Sequence, residues 1–346
     1  MNPLIWTILI STLATSTIIT MSSHHWLLAW LGLELNTLSM LPIIMKPHHP
    51  RAAEATTKYF LIQATAAALI LFASTLNAWE TGQWTITQLS STTANTILIT
   101  ALMLKLGLAP VHQWYPEVLQ GTTLSTAMII STWQKLAPLT LLYLTMTNLP
   151  TNMLLFMGLL SALTGGWGGL NQTQTRKILA FSSIAHMGWL LTALTLNPPL
   201  ATLTLLTYLL MTSTIFMCLI TTTTKTISDM GTAWNQSPTL LTTMTLTLLS
   251  LGGLPPLTGF MPKWLILKEL MMTGLNSLSI LLALAALPSL YFYIRMTYLA
   301  TFTTPPSATT TKYKWRFNPY YKTNLTPSTT LSILLLPLSP LLYQTL

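Results

Sequence analysis

Charge is what this chain has least of. Of its 346 residues, 15 are Lys or Arg and 6 are Asp or Glu, 6% in all, where a soluble protein carries about a quarter. So little polar material cannot solvate a water-soluble globule of this length. Cysteine is nearly missing as well. Cys218 stands alone, which excludes a disulfide framework and any Cys-ligated zinc or iron–sulfur centre. No Gly-rich loop follows a strand pattern, so a nucleotide or flavin has no seat. No pair of intramembrane histidines recurs on two helices, as bis-His haem ligation would need. The expectation is therefore no cofactor and no metal bound by this chain.

What is present is apolar. Hydrophobic residues make up 51% and mean hydropathy is +0.58. Runs of about 20 apolar residues, the length that crosses a bilayer core, recur from end to end. The fold class expected is an all-α polytopic membrane protein of about eleven transmembrane helices. They are drawn at 3–21, 24–45, 55–78, 94–120, 124–146, 151–170, 177–196, 199–221, 239–271, 275–302 and 325–345. The longer connections are 79–93, 222–238 and 303–324. The first run lacks a basic leader and a small-residue cleavage site, so it reads as a retained helix. Thr inside the spans is compatible with lipid, because its hydroxyl can bond back to a carbonyl one turn earlier.

Basic residues alternate by loop. Lys46, Arg51 and Lys58, then Arg176 and Lys177, then Lys225, then Lys312, Lys314, Arg316 and Lys322 fall on one face, against Lys268 on the other. The positive-inside rule puts the rich face in the cytoplasm or matrix. The N-terminus then lies on that side and the C-terminus on the opposite one. The basic excess thus reports orientation, and no nucleic-acid partner is expected. The basic aromatic stretch from Lys312 to Lys322 is compatible with anionic lipid, a partner subunit or a plain interfacial loop.

An echo divides the chain. Lys105 precedes Gly107-Leu108-Ala109-Pro110 in the fourth span, and Gly253-Leu254-Pro255-Pro256 precedes Lys263 in the ninth. Each is the fourth of five helices. Five is odd, so the second set enters the membrane from the other side, as inverted repeats do around a transport path. The expected units are residues 1–150 with a broken helix at 94–120, an inverted 151–302 with a broken helix at 239–271, the basic loop 303–324 and a C-terminal helix at 325–346.

Glu34, Lys105, Lys135 and Lys263 fall near mid-span. A charge there costs about 2.5–3.5 kcal/mol on insertion scales. Burial disfavours the charged form and pairing opposes that, so such groups are suited to taking up and releasing protons. Static ion pairs stapling helices together would also account for them. His112, just past the first break, and His186, within the seventh span, suit proton relay, although a backbone-bonded His reads equally well. Glu117, near the basic face, is either a proton-uptake group or an interfacial charge.

These residues carry a resemblance. Glu34, the segment Lys105 to Trp114, Lys135, Lys177 through Gly188, and Gly252 through Lys263 are similar to the antiporter-like subunits of respiratory complex I, over essentially the whole chain. Bacterial members have fourteen helices; this chain resembles the animal form without the first three. The resemblance implies that Glu34 and Lys105 form a modulating pair, that Lys135 holds the proton centrally, and that Lys263 lies near the exit. His112 and His186 would connect them through water. It also implies NADH, FMN, iron–sulfur clusters and ubiquinone in partner subunits, core and accessory complex I subunits and lipids such as cardiolipin as neighbours, and the inner mitochondrial membrane as location. A cation/proton antiporter subunit and a non-pumping scaffold are the competing readings.

Overall fold

Small polar residues and prolines set the helix starts. Asn2 caps the first helix with its side-chain oxygen on the Leu4 amide, and Pro3 occupies the first turn, where no amide hydrogen is needed. The computed structural model describes residues 2–302 and 324–345. The stretch Lys312–Lys322, and the expected basic loop apart from Asn324, lie outside the described residues. The chain divides into two compact units, Met1–Leu160 and Ser161–Leu346.

The first unit begins with α1 (Pro3–Ser22), α2 (Trp26–Met45) and α3 (Pro50–Thr81). Twenty residues at about 1.5 Å each span about 30 Å, the thickness of a bilayer core. α1 and α2 pack closely through small side chains: a Cβ on Gly32 would stand 2.5 Å from Thr20 Cγ2 and 3.1 Å from the Ser16 carbonyl oxygen. Then come α4 (Thr92–Leu106), α5 (Trp114–Gly121), α6 (Leu124–Thr132) and α7 (Leu136–Thr145), with a 3₁₀ turn at Trp133–Lys135 between the last two. α8 (Thr151–Gly168) carries the chain into the second unit.

The second unit contains α9 (Thr175–Leu196), α10 (Pro198–Thr222), α11 (Ile227–Gln236), α12 (Pro238–Gly252), α13 (Phe260–Met272) and α14 (Asn276–Phe302). α15 (Thr326–Leu334) and α16 (Ser339–Thr345) follow, separated by a 3₁₀ turn at Leu336–Leu338. Hydroxyls inside these helices bond back to the preceding turn, as Thr192 does to Trp189 and Ser250 to Thr247.

Among the described residues, six helices are long and apolar enough to cross a membrane: α1, α2, α3, α9, α10 and α14. That number is below eleven partly because several expected spans are interrupted. The segment 94–120 is α4 and α5 with a break, and 239–271 is α12 and α13 with a break. Two more interruptions have no counterpart in the expected spans. One is the turn ending at Lys135. The other, at Leu336–Leu338, carries Pro337, which has no amide hydrogen to donate. The segment 222–238, expected as a connection, holds α11. Its capping box pairs Thr226 with Asp229, each side chain meeting the other's backbone amide.

Candidate functional site

Both central breaks close in the same way. At the first, the Gly107 amide donates to Leu104 O (3.2 Å) and Leu108 to Met103 O (3.0 Å). At the second, Gly253 donates to Ser250 O (3.0 Å) and Leu254 to Leu249 O (3.4 Å). This is the Schellman arrangement, which needs a left-handed residue after the helix. Gly107 has φ 70° and Gly253 φ 84°; a Cβ would be strained at either place. The short unwound segments that follow, with a cis Ala109–Pro110 bond in the first, bring the chain back into helix at Trp114 and Phe260.

The first unit gathers Lys105 and Lys135 around one cavity of about 20 Å³. That exceeds the ~10–15 Å³ a single water requires. Lys105, in the last turn of α4, is 6% exposed, and Lys135, ending the 3₁₀ turn, is 3% exposed. Lys105 Nζ has no hydrogen-bond partner among the described residues, and neither has Trp114 Nε1 on the same cavity. Lys135 Nζ stands 5.2 Å from the centre of the Tyr115 ring, within cation–π range. Amides complete the lining: Gln63 Nε2 donates to the Lys105 carbonyl (3.3 Å), and Tyr59 donates to Gln134 Oε1 (3.4 Å). Gln134 in turn donates to Asn36 on α2 (3.0 Å).

Glu34, also on α2, is half-buried and accepts a hydrogen bond from Thr37 (3.1 Å). It acts on Lys105 through space, but no salt bridge joins the two among the described residues. His112 lies in the first break with Nδ1 3.2 Å from the Pro110 oxygen, and it does not line this cavity.

The second unit gathers His186 and Lys263 around another cavity of about 20 Å³. Tyr208 and Thr207 also line it. His186 Nε2 is 3.4 Å from the Tyr293 hydroxyl, and its ring lies 5.7 Å from that of Tyr208. Lys263 Nζ donates to the Gly252 carbonyl at 2.9 Å. No three His, Cys, Asp or Glu side chains converge as metal ligands among the described residues.

Several partners here were not singled out in the sequence: Asn36, Tyr59, Gln63, Gln134, Tyr208, Tyr293 and Arg295. Arg295 Nη1 donates to the Leu170 carbonyl (2.7 Å), just beyond α8. The available signal was an amide, phenol or guanidinium inside an apolar run, where a polar group must find a partner. Thr is so frequent in this chain that polarity alone did not make them stand out.

The arrangement suits proton transfer. Buried lysines, phenols and amides surround spaces that water can occupy. Comparison with known proteins agrees. Residues 23–288 match the family described as NADH:quinone oxidoreductase/Mrp antiporter transmembrane domain, and residues 290–343 match the C-terminus of NADH dehydrogenase subunit 2. NADH-ubiquinone oxidoreductase chain 2 of Salmo salar is 56% identical over 98% of each chain. A chain of Thermus thermophilus respiratory complex I superposes with a TM-score of 0.85 at 26% identity, over 97% of this chain and 78% of that one. A chain of the Mrp complex of Dietzia shares the fold, with a TM-score of 0.78 at 16% identity over 86% of this chain and 61% of that one.

Proposed function

Since the chain belongs to the NADH-ubiquinone oxidoreductase chain 2 family of respiratory complex I subunits, we propose that its buried lysines are the groups that hold protons in transit. The protein is a membrane subunit of complex I and translocates protons. Its partners are other complex I subunits, where NADH is oxidised and ubiquinone reduced. FMN and the iron–sulfur clusters belong there too.

Lys135 is the central proton-holding site and Lys105 its neighbour across a shared cavity, with Glu34 modulating Lys105 from α2. Lys263 serves near the exit, and His112 and His186 relay through water. The two helix breaks belong to two inverted five-helix repeats, residues 1–150 and 151–302. The protein resides in the inner mitochondrial membrane, with its N-terminus in the matrix, its C-terminus in the intermembrane space, and phospholipids such as cardiolipin around it.

One observation supports this reading above the rest. Two lysines at least 94% buried line the same water-sized space, a costly placement for a charged group inside the membrane. In sealed vesicles containing the assembled complex, Lys135→Ala is expected to abolish coupled pumping while assembly survives. A normal proton-to-electron ratio in that variant removes Lys135 from the pathway.

A further inference from the structure

A second, larger cavity lies beside the Lys105–Lys135 space, and one side chain lines both. It measures about 440 Å³ and is lined by Lys58, Ile62, Pro110, Val111, Gln113, Trp114 and Glu117. Lys58 and Glu117 are its charged lining, and Glu54 joins them through Lys58 to make a triad. Lys58 Nζ donates to Glu54 Oε1 at 2.5 Å and to Glu117 Oε2 at 2.7 Å. The three side chains are 39%, 61% and 52% exposed, so this chain does not cover them. Exposed ion pairs contribute little to stability, and holding the fold together is a weak reason for three charges here.

The remaining links are geometric. Glu117 occupies the first turn of α5, where the positive end of the helix favours an anion. Trp114, which opens α5, is 5% exposed and is held edge-on to Tyr115 (centroids 5.5 Å apart, 88°) and tilted against Tyr59 (6.0 Å). Its unpartnered Nε1–H and the unpartnered Lys105 Nζ both belong to residues of the inner cavity. Lys58 follows Lys46 and Arg51 in sequence and lies in the first half of α3, which suits an opening on the basic-loop face.

We infer that the Glu54–Lys58–Glu117 triad is the proton-collecting mouth of the first unit, and that Trp114 is the gate between this mouth and the Lys105–Lys135 cavity. The inference rests on the proton-holding role proposed for those lysines. A carboxylate of the triad takes a proton from hydronium or a buffer acid, which leaves as water or the conjugate base, and passes it to water in the outer cavity, which regenerates the carboxylate. Water held at the Trp114 indole then carries one proton inward. Nothing is oxidised or reduced; the proton ends on a neutral lysine amine of the inner cavity, and the full cycle returns the triad to its starting state.

Two experiments on the assembled complex in sealed vesicles test this. First, Val111→Cys places a thiol in the outer cavity (Val111 is 47% exposed), and label is read on this subunit alone, whose one native cysteine, Cys218, is buried. A charged, membrane-impermeant thiol reagent is expected to label it from the basic-loop face only. Protection from both faces overturns the mouth. Second, Glu54→Gln combined with Glu117→Gln is expected to slow coupled turnover about a hundredfold, the low end for loss of a proton-transfer group, with partial recovery in a concentrated small weak-acid buffer. A purely structural triad would show no such recovery. Turnover at the native rate in this double variant, with Lys135→Ala still uncoupled, overturns the mouth and leaves the lysine assignment standing. Normal pumping in Lys135→Ala removes both.

Discussion

Lys263 Nζ is hydrogen-bonded to the carbonyl of Gly252 across the second helix break, at 2.9 Å. Gly252 is the last residue of α12, and its carbonyl is among those a helix leaves without an internal partner. An ammonium there also meets the negative end of the helix. The lysine therefore ties one half-helix to the end of the other, and its proton helps to hold the break.

Replacing Lys263 with Met should loosen that tie. A hydrogen bond involving a charged group is worth about 1.5–3 kcal/mol. Amides from Gly253 to Phe260 should exchange with deuterium markedly faster in the purified variant complex, while α9 and α10 keep native protection. Unchanged exchange through the break would show that the tie carries no weight.

Gly253 and Gly274 provide a matched pair. Both have positive φ, 84° and 80°, so Ala costs each about 1–2 kcal/mol of backbone strain. A Cβ at Gly253 would stand 3.1 Å from Lys263 Cδ and Nζ, whereas one at Gly274 meets nothing within 4 Å. Gly253→Ala should therefore lower the thermal stability of the complex more than Gly274→Ala and should also impair pumping. Equal effects would assign the cost to backbone strain alone.

Glu34 and Lys105 separate pumping from stapling. Among the described residues no salt bridge joins them, so there is little direct pairing to lose. Converting both to apolar residues of similar size, Glu34→Leu with Lys105→Met, is expected to leave assembly intact, since it removes both charges together and leaves neither uncompensated. Turnover coupled to pumping should nevertheless fall. Native turnover in the double variant would favour the scaffold reading.

Asp229 gives a pH dependence outside the membrane spans. Its hydrogen bonds to the Thr226 side chain and amide hold its carboxyl below the usual carboxylate range. A lowered folded value means that the cap's contribution is complete above the unfolded value, about 3.9. It is then lost as pH falls through the folded one. Amide exchange at the start of α11 should therefore acquire an acid-side loss of protection that Asp229→Asn lacks.

The amino-acid sequence by itself determined the class of fold and the places where helices must stop. Few charges and recurring apolar runs leave helices in lipid as the workable solution, and Gly107 and Gly253 carry the left-handed backbone that ends α4 and α12. Mid-span Lys105, Lys135 and Lys263 were legible for a related reason: a lysine inside an apolar run is costly wherever the chain goes. Only the tertiary structure decided which of these groups share a cavity. The placement of Lys105 with Lys135, and of His186 with Lys263, depends on packing between helices far apart in the chain. The same holds for the amides. Gln63, Gln134 and Asn36 look like ordinary polar residues until three helices bring them together. The 3₁₀ turn at Lys135 and the amphipathic α11 were hidden too, because hydrophobic length locates a span but does not report its local winding.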